Sequence, residues 1–298
     1  MLEWSTMEVV PVVLQLGSKQ FGADDYVIMA VINRTPDSFY DRGRTYTFDA
    51  ALDAVDQAVD EGADIIDIGG VKAGPGKPVS PTEETRRVCS LIAAARERHP
   101  GIAISVDTWR SDVAERAVQA GADILNDTWG GYDSHVIDVA AVTGTGVVCT
   151  HAGGLSPRRR PHRSAFDDVV ADVLATTTRL ARRAVNAGVA PERVLIDPAH
   201  DFGKNTWHSL EISRRLHELV DTGWPVLVAT SNKDFIGETL ALPVTDRHEG
   251  TLATLTLAAW QGARAFRVHD VRAARRTLDM VASVKGQRTP AKATRGLA

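Results

Sequence analysis

Asn33, Asp107, Asn126, Asp197, Lys233, Arg267 and His269 each stand within a few residues of the end of a short apolar run. Asp107, Asn126 and Asp197 supply acceptors and an amide, the set that reads the N–H and C=O edges of a flat heterocycle. Lys233, Arg267 and His269 are cations suited to an anionic or carbonyl-bearing partner. Asn33 and Asp41 stand on the first loop, where a Mg²⁺-bound phosphate would fit. Each residue has a plainer explanation alone. Asp107-Thr108 can cap a helix, Asn126 can bond a neighbouring backbone, and His151 can be a satisfied core histidine. Burying all of them without a ligand is another matter, because each unpartnered polar group costs on the order of 1–3 kcal/mol. No nucleophilic serine elbow or paired-histidine zinc motif is present. The phosphate-loop lookalike Gly74-Pro75-Gly76-Lys77 fails, since Pro78 follows the lysine and position 71 is valine. The expected chemistry is a displacement governed by positioning and charge, without a covalent intermediate.

These residues need a scaffold that brings strand ends together. Val27–Ile32 is an apolar run that breaks into Asn33-Arg34-Thr35-Pro36-Asp37-Ser38-Phe39. Such a run suits a strand buried on both faces, and Pro36 ends it. Asn33 and Asp37 then suit a hard cation, a phosphate or a heterocycle, or simply an Asx-type turn. The beat of strand, loop and helix repeats. Further strands are expected at 64–68, 102–106, 122–125, 146–150, 194–197, 225–230 and 265–268. Helices are expected over 48–61, 82–99, 111–120 (capped by Ser111), 136–142, 165–187, 209–220, 250–261 and 271–285. Gly62-Ala63-Asp64, Gly121-Ala122-Asp123 and Gly262-Ala263-Arg264 each stop a helix and start a strand. Eight such units without a composition break argue a single (β/α)₈ TIM barrel over residues 25–286; a doubly wound open sheet is the runner-up. Residues 1–24 read as a lead-in that can close one end, and 287–298 as a basic tail.

Composition narrows the function classes. The chain has 298 residues, 44% hydrophobic, with a net charge of −4, so nothing points to nucleic acid or a membrane surface. No apolar run approaches a membrane span, no basic leader is evident, and a cytoplasmic location is the default expectation. Cys89 and Cys149 read as buried free thiols.

Several segments together resemble the dihydropteroate synthases. They are Asn33–Phe39, Asp64–Gly70, Ser105–Thr108, Ile124–Asp127, Asp197-Pro198 with Phe202-Gly203-Lys204, Ser231-Asn232-Lys233 with Phe235-Ile236-Gly237, and Arg267–Asp270. The match runs in order over about residues 26 to 285. It implies a barrel that forms homodimers and joins p-aminobenzoate to 6-hydroxymethyl-7,8-dihydropterin diphosphate, with Mg²⁺ and loss of pyrophosphate. It further implies that Asp107, Asn126, Asp197, Phe202 and Lys233 grip the pterin and that Arg267 stacks on it. Asn33 and His269 would hold the diphosphate and its metal, and Asp41 would help close the site. Mobile first and second loops would then keep water from the reactive cation.

The second loop departs from the family pattern. Val71, Lys72, Ala73 and Gly74 replace an acid, two hydroxyls and an arginine, Asn232 replaces an arginine, and Asp234 replaces a serine beside the p-aminobenzoate carboxylate. Arg34 stands where a small apolar residue is usual, and Thr150-His151-Ala152-Gly153-Gly154 replaces a methionine-rich stretch. The run Pro157–Arg163 reads as a solvated loop, with reach to a phosphate as the alternative. Two carboxylates about 5 Å apart repel by roughly 3 kcal/mol at an effective dielectric of about 20, so Asp234 should disfavour p-aminobenzoate or select an amine without its carboxylate. The pattern therefore predicts a homologue with its pterin half-site kept and its p-aminobenzoate half-site altered, with weak or absent synthase activity. The alternative is a non-catalytic pterin-binding or partner-binding protein on the same barrel. Corrinoid-linked methyltetrahydrofolate transferases share the barrel but account less well for the first loop.

Overall fold

A strand with helices on one side and a barrel interior on the other must be apolar at both odd and even positions, as Val27–Ile32 is. The computed structural model describes residues 13–35, 47–72, 74–158 and 165–295. A hairpin comes first, β1 (Leu14–Leu16) and β2 (Lys19–Phe21). Then follow β3 (Val27–Asn33), α1 (Phe48–Asp60), β4 (Ile65–Gly69), α2 (Pro81–Arg98), β5 (Ala103–Asp107) and α3 (Ser111–Gln119). The middle of the chain supplies β6 (Ile124–Asp127), α4 (His135–Thr143), β7 (Gly146–Thr150), α5 (Val169–Ala187) and β8 (Val194–Asp197). The last third holds α6 (Thr206–Arg214), α7 (Leu216–Val220), β9 (Leu227–Val228), α8 (Asp234–Leu240), α9 (His248–Gln261), β10 (Ala265–Val268) and α10 (Val271–Val284). Strands β3 to β10 form one parallel eight-stranded sheet, ordered β8-β7-β6-β5-β4-β3-β10-β9. A parallel bridge between Ile196 and Val226 joins its ends, so the sheet closes into the expected barrel.

The hinge points match the sequence. Gly62, Gly121 and Gly262 have φ of +96°, +114° and +108°, conformations that glycine adopts at least cost. The aspartates behind two of them work alike. Asp64 accepts the Ile28 N–H and pairs with Arg275, while Asp123 accepts the Ile104 N–H and pairs with Arg96. Some boundaries differ from expectation. The ladder of the seventh barrel strand covers only Leu227–Val228, because closure rests on a single bridge there. Helix α5 starts at Val169, where the Asp168 carboxylate accepts the N–H groups of Val170 and Ala171. Asn205 starts a helix three residues early through a capping box with His208, and a break at Arg215 divides it into α6 and α7. Ser111 does not cap α3; it is the first helical residue, and its N–H donates to Asp133 of the next loop.

Two apolar layers hold the barrel. The larger lies between sheet and helices. The smaller fills the interior with Val27, Met29, Ile65, Ala103, Ile124, Val148, Leu195, Leu227 and Ala265, and Leu14, Leu16 and Phe21 join it. The hairpin therefore plugs the amino-terminal end of the barrel, turning through Gly17, where a side chain would meet Asp123. With that end sealed, only the carboxyl end is left to receive a ligand.

Candidate functional site

Side chains alternate along a strand, so the next inward positions above the apolar layer are fixed. They are Asn33 on β3, Asp67 and Gly69 on β4, Ser105 and Asp107 on β5, Asn126 on β6, Thr150 on β7, Asp197 on β8, and Arg267 on β10. The barrel changes from apolar to polar within one turn of the pleat. At the centre is Asp67, fully buried. It accepts from Ser105 Oγ at 2.6 Å, from Arg267 Nε at 2.7 Å and from Asn126 Nδ2 at 3.3 Å. Arg267 reaches on through Nη2 to Asp107 at 2.9 Å, and Asp107 also accepts from Thr128 Oγ1 at 2.9 Å. One guanidinium is thus fixed in plane by two carboxylates, as bidentate pairing favours.

Asp67 was not singled out in the sequence, because Ile65-Ile66-Asp67-Ile68-Gly69 reads as a buried strand with one polar interruption. The usable signal was its parity with Asp107 and Arg267. Next to this hub, Asn126 Oδ1 and Thr150 Oγ1 are buried without a hydrogen-bond partner. Groups of that kind are rare in a finished core and mark a place where a ligand completes the bonding.

The rest of the mouth is built from loops. Asp197 accepts the Ala199 N–H at 2.7 Å, and its charge is felt by Lys233, Arg267 and Lys204. Lys233 donates to the His200 carbonyl at 2.6 Å, and its ammonium lies 4.7 Å from the Phe202 ring centre. Ala199 and Asp201 take positive φ in this loop, and Lys204 braces it by donating to the carbonyls of His151, Ala199 and Phe202. His269 bonds Ser231 Oγ through Nδ1 and through its backbone N–H. Asn33 Oδ1 lies over Gly69, 3.0 Å from where a β-carbon would stand, so a side chain there would press on it.

Burial sets the charges. It pushes Asp107 up to about 7, against the pull of Arg267 and with the repulsion of Asp67. Burial likewise raises Asp197 and lowers Lys233. A site with acids pushed up and an ammonium pushed down is ready to exchange hydrogen bonds with a polar heterocycle. Among the described residues no group of three or more His, Cys, Asp and Glu forms a metal cage. Asn33 Oδ1, at the mouth, is a hard oxygen of the kind Mg²⁺ takes as a ligand.

The second half of the expected site is arranged otherwise. Asp234 begins α8 with its carboxylate turned to Arg247 at 2.9 Å, and its side chain is 64% exposed. It pairs with Arg247, so the charge anticipated next to an incoming carboxylate is largely neutralised and screened. Asn232 sits at a φ of +56° with its N–H on Thr251 Oγ1. Arg34 is buried and donates to the Arg87 carbonyl at 2.7 Å, bracing β3 against α2. Lys72 and Gly74 lie on a loop held by Arg158, and Gly74 has a φ of +147°, so a restored arginine there would be strained. Arg158 of the basic run therefore binds carbonyls of this chain; the remainder of that run, 159–163, lies outside the described residues, as do Asp41 and Ala73.

The comparisons agree with this architecture. Residues 29–269 match the model of the family described as pterin binding enzyme. A Mycobacterium tuberculosis protein named inactive dihydropteroate synthase 2 is 55% identical over 287 residues, covering 95% of this chain and 90% of that one. The dihydropteroate synthase of Bacillus subtilis is 39% identical over 257 residues, covering 86% and 87%. The Yersinia pestis dihydropteroate synthase, solved with a sulfonamide drug complex, superposes with a TM-score of 0.86 at 32% identity over 93% of this chain and 100% of that chain. With the closed barrel, the polar centre on Asp67 and Arg267, and likeness over nearly the whole length, the chain belongs to the dihydropteroate synthase family of pterin-binding enzymes.

Proposed function

We propose that this chain binds a dihydropterin diphosphate in the polar centre of its barrel and does not condense it efficiently with p-aminobenzoate. The observation that carries the first half is the pair of buried, unpartnered atoms Asn126 Oδ1 and Thr150 Oγ1 beside the Asp67–Arg267–Asp107 network. A pterin brings N–H donors and ring acceptors on a flat edge, the complement of Asp107, Asn126, Asp197 and Lys233. Arg267, held in plane by its two carboxylates, offers a face for the ring to stack on. Asn33 and His269 would hold the diphosphate, and Mg²⁺ bound there would neutralise charge building on the leaving pyrophosphate.

The second half rests on the altered loop. Val71, Lys72, Ala73 and Gly74 provide none of the acid, hydroxyl and arginine groups of the family pattern. The name of the 55%-identical M. tuberculosis relative points the same way. The reading carries with it a cytoplasmic location and a homodimer formed through α9 and α10, which leave Leu257, Trp260, Met280 and Val284 exposed. No described helix is long and apolar enough to cross a membrane. The test pairs calorimetric titration of the pterin diphosphate, with and without Mg²⁺, with an assay of pyrophosphate release on adding p-aminobenzoate. Binding without release supports the reading. Efficient release overturns its second half, and absence of binding overturns its first.

A further inference from the structure

The second loop runs from Gly70 to Val79, and arginines from three elements hold its backbone carbonyls. Arg87 of α2 donates to Gly70 at 2.9 Å. Arg158, on the loop after β7, donates from Nη1 to Lys72 at 2.6 Å and Gly74 at 2.9 Å, and from Nη2 to Lys77 at 2.9 Å. The Arg158 carbonyl in turn accepts from the Gly76 N–H at 3.4 Å. Arg110, just before α3, donates to Val79 at 2.8 Å while its other nitrogen pairs with buried Glu84. A loop left free to open and close would keep its carbonyls in water. This one spends five of them on guanidinium groups.

The inner side of the loop is as firmly placed. Val71 packs in a buried cluster with Trp109, Trp129 and Ala152, and Val79 and Leu155 pack against it. Trp129 meets Phe202 edge-on at 5.9 Å, and Phe202 lies under the Lys233 ammonium. Contacts therefore run without a gap from Arg158 through Val71 and Trp129 to the site. Arg158 also holds a φ of +65°, unfavourable for a residue with a side chain and consistent with a conformation imposed by its bonds.

We propose that Arg158 is a specificity-determining positioning residue. By pinning the second loop it keeps Val71 against Trp109 and Trp129, and so gives the half-site beside Phe202 and Lys233 a fixed apolar wall. A carboxylate on an incoming arylamine would lose its water against that wall, and the Val71 side chain offers it no donor in return, which disfavours p-aminobenzoate. This rests on the reading that the pterin half-site is retained.

Two substitutions remove the pin from opposite sides. Arg158→Ala deletes the guanidinium. Gly76→Ala places a β-carbon against Arg158 Nη2, the far end of a flexible side chain, and displaces it without disturbing the core. Hydrogen exchange on the full-length, ligand-free protein should show the amides of Lys72, Gly74, Gly76 and Lys77 exchanging roughly tenfold faster in both variants. Affinity for the pterin diphosphate should stay within about twofold, and p-aminobenzoate should bind the pterin-loaded variants at least about fivefold more tightly than the pterin-loaded wild type. Arg158→Lys, with a donor but no fork, should fall between. Unchanged exchange in both variants would overturn the latch, and faster exchange with unchanged p-aminobenzoate binding would overturn its role in specificity. If the pterin diphosphate binds none of these proteins, the functional reading fails instead; exchange still decides the latch, and titrating p-aminobenzoate alone decides its effect on that ligand.

Discussion

At the scale of single residues, the centre of the barrel separates side chains that face a ligand from one that holds them. Asn126 Oδ1 is buried without a partner, Asp197 accepts one backbone N–H, and Asp67 spends its bonding capacity on Ser105, Asn126 and Arg267. Asn126→Ala and Asp197→Ala should each weaken pterin binding by roughly 1–3 kcal/mol, more at the charged position, with the fold intact. Asp67→Ala should in addition destabilise the protein by about 3–5 kcal/mol, because it takes the shared acceptor from Ser105, Asn126 and the Arg267 Nε and leaves a buried gap. Calorimetry and thermal unfolding on the three variants check this; equal binding in all of them would remove the site assignment. The placement of Asp107, Asn126, Asp197 and Arg267 around the mouth was open to sequence reading because each falls at or near a strand end with inward parity. The direction of Asp234 was not. It depends on Arg247, thirteen positions away, which draws the carboxylate aside. Asp234→Ser alone should accordingly change p-aminobenzoate affinity less than the bare repulsion of two carboxylates suggests.

At the scale of elements, the loops after β7 and β8 carry buried bases with consequences for pH. His200 lies 1% exposed, stacked on Phe235 and bonded to Ser213 Oγ, and burial lowers it to about 3. Between about pH 6.5 and 3 the unfolded chain binds a proton at this residue that the folded chain refuses, so the folded state loses stability as pH falls through that window. The slope from one such group is about 1.4 kcal/mol per pH unit. His200→Gln should therefore flatten the fall of melting temperature between pH 6.5 and 4.5 relative to wild type, and parallel curves would contradict the assignment. The elements themselves were largely legible, since the Gly-Ala-Asp punctuation marks where helices stop and strands start. The latch was not legible. A basic run after a proline reads as a solvated loop, and only tertiary structure brings Arg158 onto carbonyls over eighty residues earlier. Ser111 misled as a cap because Asp133, from another loop, takes that N–H.

At the scale of the whole molecule, a hairpin closes one end of the barrel and the polar centre faces the other, while α9 and α10 carry apolar residues outward. Leu257 and Trp260 are each 57% exposed, more than a barrel needs for its own packing. Sedimentation should show a dimer at micromolar concentration, and Trp260→Glu should shift it toward monomer; a monomeric wild type would contradict the proposed interface. The central claim is narrower, that a pterin half-site survives in a family member whose second half-site does not work. Calorimetric titration of the wild-type protein with 6-hydroxymethyl-7,8-dihydropterin diphosphate tests it most directly. Saturable one-site binding per chain is predicted, tightened by Mg²⁺ and weakened roughly tenfold or more in Asp197→Ala. Absence of heat and of competition at any Mg²⁺ concentration, in a folded protein, would contradict it.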